Sequence, residues 1–235
     1  MFPPSVSPTP LEQPGYVGIG KYQKLAEITE RPTFGGVLYI TFLEVRQSPG
    51  ATLAHNDVPG FVYAVQGFHT MSRNDGERAS AIGEGTAGWI TADTQHLNVG
   101  TAETVWYFIS LRSITQRGAA FPYDRYRVLY ASPDLVTAIG DKSLVQQLGL
   151  ITMDPGGRTS AHSHGGSESF YVMKGTVELA VNDGTRTRIV AGQGGTVKPG
   201  ANMQLRVIGT EPATILTYFV TPEGAPWQTN LQTVP

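Results

Sequence analysis

The stretch DPGGRTSAHSHGGSESFYVMKG, Asp154 to Gly175, decides how the rest of the chain is read. His162 and His164 stand one residue apart, Glu168 follows four residues later, and Gly175 closes the stretch. The whole chain has only 5 histidines, so two of them in one short segment call for a chemical reason. On a strand alternate residues face the same side, which points His162 and His164 together. Glu168 lies on the next strand segment and can turn back toward the same space. Two neutral imidazoles and a carboxylate, with coordination positions left open, suit a divalent metal: Fe(II) first, with Mn, Ni, Zn or Cu as further candidates. The competing reading is a polar cluster that holds no metal. Inside a barrel that is costly, because buried imidazoles and a carboxylate need partners.

Working outward, the chain repeats. Gly175 follows Gly67 by 108 residues, and Asn-Asp-Gly begins seven residues after each, at Asn74 and at Asn182. His162 follows His55 by 107 residues and Pro155 follows Pro49 by 106. An ordered series with a period near 107 implies two whole domains. Each half reads as strands: LYITFLEV, FVYAVQG, TVWYFISL, FYVMKG and TILTYFV are β-branched and aromatic runs bounded by Gly, Pro or Asn. The Asn-Asp-Gly segments, with Asp75 and Asp183, read as hairpin turns. SPDLVTAI carries the only helical signal, a turn or two. The expected class is all-β, two tandem jelly-roll barrels related by internal duplication. The expected division is a Pro-rich arm over residues 1–22, one barrel over 23–120 and a second over 121–235. The ends, up to about residue 20 and after Pro222, read as loosely packed arms.

Gly156, His162, His164, Glu168 and Gly175 match the first cupin motif: glycine, five residues, His-x-His, three residues, Glu, six residues, glycine. The chain resembles a bicupin, with the likeness extending over about residues 35 to 220. The resemblance implies jelly-roll barrels with the metal inside. Gly192-QGGTV-Lys198-Pro199-Gly200-AN-Met203 resembles the second motif, with Met203 where the family usually has a fourth ligand, a histidine. A thioether is a soft, weak ligand, so the expectation is three ligands, or three plus a long Met203 contact. Gln204 faces the other way on a regular strand.

The first half holds a blurred copy. His96 lies eleven residues after Gly85, as Met203 lies eleven after Gly192. His55 matches His162, Asp57 takes the place of the second histidine, and Phe61 sits at or next to the glutamate position. Four of the five histidines thus fall on ligand positions of the family. His55, Asp57 and His96 form a second candidate metal site. The competing reading makes Asp57 a cap for the turn before Pro59 and Phe61 a pocket filler. His69 aligns with Val177 and reads as a hydrogen-bonded core residue.

Composition narrows the function. Charged residues are 15%, against roughly 25% in an average globular domain, and the net charge is -2. With no Lys/Arg run to neutralise phosphates, nucleic acid is disfavoured as a partner. No cysteine is present, which removes disulfides, thiolate ligands and thiol nucleophiles. No apolar run approaches a membrane span, and the N-terminus lacks the pattern of a signal peptide, so the reading leans to the cytoplasm. No helix-turn-helix segment supports a regulator. Resemblance to bicupins such as the quercetin dioxygenases implies an oxidoreductase, a dioxygenase that binds a small oxygen-bearing substrate at the metal and works as a homodimer. The alternative is a non-catalytic storage or ligand-binding bicupin with a structural or vestigial metal site. Isomerases, lyases, decarboxylases and hydrolases share these ligands, so fold alone does not choose among them.

Overall fold

A computed structural model describes residues 20–32, 36–55, 57–73, 80–135, 142–182 and 184–231. Residues 1–19 of the Pro-rich arm, the first Asn-Asp-Gly turn with Asp75, the turn residue Asp183 and the second half of SPDLVTAI, residues 136–139, lie outside them. The first half forms β1 (Lys21–Glu30), β2 (Leu38–Gln47), β3 (Thr52–Ala54), β4 (Gly60–Gln66), β5 (His69–Arg73), β6 (Ser80–Ile82), β7 (Ala87–Ile90), β8 (Thr94–Leu97) and β9 (Thr104–Ser113). The second forms β10 (Tyr126–Ala131), β11 (Leu144–Met153), β12 (His162–Ser163), β13 (Ser167–Lys174), β14 (Thr176–Val181), β15 (Thr185–Val190), β16 (Gly194–Val197), β17 (Met203–Val207), β18 (Ala213–Pro222) and β19 (Thr229–Asn230). A single 3-10 turn, Ile114–Gln116, is the only helical element among the described residues.

Four sheets make two barrels. Sheet β10-β2-β9-β4-β7 faces sheet β3-β8-β5-β6 in the N-terminal barrel, and sheet β1-β11-β18-β13-β16 faces sheet β15-β14-β17-β12-β19 in the C-terminal one. The all-β, two-barrel jelly-roll expectation describes this architecture. Strand membership, however, crosses the division at 120/121. β1 pairs with β11 of the C-terminal barrel, and β10 pairs with β2 of the N-terminal barrel. Each half lends its first strand to the other, so neither sheet is complete within its own stretch of chain.

The central strands are apolar on both faces, as sheets buried on both sides require. On β2, Leu38, Ile40 and Phe42 join one cluster while Leu43 and Val45 join another. The first cluster is the seam between the barrels, where Phe42, Phe61 and Ile109 meet Leu148, Tyr171 and Tyr218. Phe61 packs edge-on against Tyr218, with ring centroids 5.8 Å apart. The interior of the C-terminal barrel is a separate cluster that includes Phe170, Val172, Leu205 and Ile215. The two barrels are therefore held back to back, and each keeps its own interior.

Candidate metal centre

β12 carries His162, paired across to Met203 on β17 and to Asn230 on β19. His164 follows two residues later, and its ring lies 4.7 Å from that of His162. The chain then doubles back at Gly166, where an added Cβ would lie 2.2 Å from the Val220 carbonyl oxygen. Only glycine allows this approach. The return strand β13 points Glu168 inward beside the histidines. One ligand atom from each of His162, His164 and Glu168 can be chosen so that all lie within 4.8 Å of one another, and all three residues are buried.

Hydrogen bonds fix which atoms face inward. A carbonyl can only accept, so His162 Nδ1–H donates to the Ser160 carbonyl at 2.7 Å, and His164 Nδ1–H donates to the Trp227 carbonyl. Both rings therefore turn Nε2 to the site. Glu168 Oε1 accepts from the Thr217 hydroxyl at 2.7 Å, which leaves Oε2 for the site. His164 Nε2 and Glu168 Oε2 approach to 3.4 Å, yet both are buried without a hydrogen-bond partner. An imidazole lone pair facing a carboxylate oxygen repels it unless a cation lies between them. The residues thus fit a divalent metal on donor chemistry and on orientation.

The titration directions agree. Burial, the largest influence, pushes His164 down, but the Glu168 carboxylate and the Trp227 carbonyl together outweigh it and its pKa is raised. Burial pushes Glu168 up, but His164, His162 and Thr217 outweigh it and its pKa is lowered. His162 is lowered, mainly by burial, with Glu168 partly offsetting it. The Glu168 carboxylate thus favours positive charge beside it, on His164 or on a cation.

Met203 is fully buried and opposite His162, so its side chain lies on the same face and joins the apolar wall with Phe170 and Leu205. Gln204 points the other way and donates to the Thr159 carbonyl at 2.9 Å.

The second candidate set, His55, Asp57 and His96, is not brought together. Asp57 forms a two-pronged pair with Arg112, Oδ2 to Nη1 and Oδ1 to Nη2 both at 2.8 Å, and it caps the Val58 N–H. His55 and His96 lie instead in a hydrogen-bonded line: His69 Nε2 to His96 Nδ1 at 2.7 Å, then His96 Nε2 to His55 Nδ1 at 3.2 Å. The Val58 carbonyl sets the direction of the whole line. It accepts from His55 Nε2–H, so His55 Nδ1 must accept, and each imidazole behind it must donate from Nε2. The Tyr123 hydroxyl also reaches His55 Nδ1, at 2.9 Å. Burial lowers the pKa of His55, of His96 and, to about 3, of His69. These are neutral imidazoles hydrogen-bonded to one another, with His69 Nδ1, at the end of the line, left buried and without a partner.

The acid is missing from this half for a reason of register. The bulges of β4 and β13, at Ala64/Gln66 and Val172/Lys174, are both 108 residues apart, which places Gly60 opposite Glu168 in the repeat. Phe61, one residue on, faces the seam between barrels and does not fill the pocket. A one-residue step on a strand changes the face. Phe108 stands over Gly60, where an added Cβ would meet its ring at 2.6 Å.

The tail after Pro222 is not a loose arm over its described length. β19 pairs with β12, Leu231 N–H donates to the Ala161 carbonyl, and Trp227 holds His164. It forms a strap across the histidine strand. Its single tryptophan in a polar setting was the available signal. Nothing in the sequence marked Thr217 or Arg112 as partners of site residues.

Fold and site together describe a two-barrel, cupin-like protein with a buried His-His-Glu cluster in its C-terminal barrel that could hold a metal ion. Residues 149–219 match the cupin domain family. No curated protein sequence matches the chain. Similar solved structures include the oxalate decarboxylase of Lactobacillus farciminis in complex with formate, at 13% identity and TM-score 0.58 over 89% of this chain and 88% of that one. A variant of the Bacillus subtilis oxalate decarboxylase is 14% identical, with TM-score 0.60 over 93% of this chain and 81% of that one. Vicilin from tomato, Solanum lycopersicum, is 11% identical, with TM-score 0.57 over 82% and 77%. At such identities the likeness is one of fold. The domain match and the shared fold support the cupin superfamily. No helix among the described residues is long and apolar enough to cross a membrane.

Proposed function

We propose that the C-terminal barrel holds one divalent cation through Nε2 of His162, Nε2 of His164 and Oε2 of Glu168, and that the protein is a metal-dependent enzyme acting on a small oxygen-bearing organic molecule. One observation carries this: two of the three converging ligand atoms are buried and face each other unpartnered. When bound, the cation supplies Lewis-acid polarisation of a substrate oxygen or a redox centre. The protein's own part is positional. Ser160 and Trp227 carbonyls hold both imidazoles in the ligating tautomer, Thr217 holds Glu168, and the rings of Phe219 and Trp227 pack against His164 at 4.8 and 5.6 Å and keep water out.

Two histidines and a carboxylate favour Fe(II), and with it oxygen-dependent cleavage. The oxalate decarboxylases of the same fold offer carbon–carbon cleavage of a carboxylate as the second reaction class. In either class the cation would supply polarisation of a substrate oxygen, with His162, His164 and Glu168 holding it. The test is metal content by mass spectrometry on the full chain and on His162→Ala, with oxygen uptake on a flavonol and diketone panel and carbon dioxide release from oxalate. About one ion per chain, lost in the variant, with turnover in one assay is the expected outcome. Metal-free protein with its fold intact would favour the storage or ligand-binding reading instead.

A further inference from the structure

We infer that Tyr22, brought into the C-terminal barrel by β1, contacts the substrate there and selects molecules that present an O–H or N–H to it. This rests on the metal reading above and goes further, to the chemistry of the ligand's far end. One transverse row of the sheet runs from the metal ligand to the lent strand: Glu168 on β13 opposes Phe219 on β18, which opposes Gln147 on β11, which opposes Glu27 on β1. Tyr22 enters beside this row because β11 has Gly149 beneath it. A Cβ there would lie 2.3 Å from the Tyr22 ring, so any larger residue would displace the tyrosine. The ring packs 5.3 Å from Trp227 and 6.2 Å from Phe219, the same two rings that touch His164.

The hydrogen bonds then decide what Tyr22 can offer. The Glu27 carboxylate only accepts, so the amide nitrogen of Gln147 faces it, at 2.5 Å. The amide oxygen of Gln147 must therefore face Tyr22 and takes the phenolic proton at 2.8 Å. With its proton committed, the Tyr22 oxygen presents lone pairs alone. The residue is 36% exposed, at the rim of the barrel; what burial it has, then the charges of Glu168 and Glu27, raise the phenol's pKa. The fitting ligand binds the cation through one oxygen and carries a hydroxyl or other donor at its far end: a hydroxy acid, an enol or a phenol, in preference to a dianion.

The experiment uses full-length protein loaded with Co(II) and three ligands with one carboxylate in common: propionate, 3-hydroxypropionate and malonate. Visible absorption of the cobalt reports each affinity. Wild type is expected to prefer 3-hydroxypropionate. Tyr22→Phe should weaken that ligand alone by about three- to tenfold, the range for one neutral hydrogen bond. Gln147→Leu releases the phenolic proton and should raise the affinity for malonate, a result that a purely structural role for Tyr22 does not produce. Equal affinities in wild type and Tyr22→Phe, or an equal loss for all three ligands, would overturn the assignment while leaving the metal reading intact. No cobalt spectrum at all would overturn both.

Discussion

Truncating Asp57 separates its two roles. The sequence offers it as a candidate ligand of a second metal or as a turn cap, whereas the structure makes it the counter-ion of Arg112, with both side chains 4% exposed, and a cap for the Val58 N–H. In Asp57→Ala the guanidinium stays buried with only the Phe121 ring, 4.6 Å away, to soften the loss. Removing one partner of a buried pair costs about 3–5 kcal/mol, mostly from the charge left behind. Against the roughly 5–15 kcal/mol that holds a domain folded, this is a large fraction. Urea unfolding followed by tryptophan fluorescence should therefore show a much lower midpoint, while metal content under native conditions stays at the wild-type value. The double variant Asp57→Ala with Arg112→Met should recover most of the loss, since both charges are then gone. The opposite pattern, an ion lost per chain with the midpoint unmoved, would refute the pairing and restore Asp57 as a ligand.

Glu168→Gln should weaken metal binding by more than the roughly 100-fold that outer-shell losses reach, measured by competition with a chelator; an unchanged affinity would remove Glu168 from the site. Met203→His should tighten binding, since the residue opposite His162 then carries an imidazole, and a flat affinity would show that its side chain does not reach the cation. Acid should destabilise the N-terminal barrel. His69 has its folded pKa lowered from 6.5 to about 3, so the unfolded chain takes up the proton first as pH falls. Stability is then lost below the unfolded value, by about 1.4 kcal/mol per pH unit from His69 alone. His55 and His96, also lowered, act in the same direction. His164, raised, acts in the opposite sense: its contribution is present at low pH and lost as pH rises through its folded pKa. Denaturant midpoints from neutral pH downward should decline in wild type and more shallowly in His69→Phe; equal slopes would sink the account.

Much of the site was legible because its information is local. His162, His164 and Glu168 lie within seven consecutive residues, and strand alternation with one tight return suffices to aim them together. The duplication was legible for a similar reason, since glycines and turn residues repeat at one spacing. The first-half set failed at a single step: a carboxylate in a ligand position looks like a ligand until its partner is known, and Arg112 is 55 residues away.

The sequence alone therefore determined the β class, the two repeats and the three inward donors, because each depends on alternation and spacing along one strand or its neighbour. Tertiary structure alone decided which half each first strand serves, that Asp57 answers Arg112, that a C-terminal strap orients His164, and that Tyr22 reaches the other half's barrel. These depend on side chains far apart in the chain competing for the same partner, and only packing settles which of them meet.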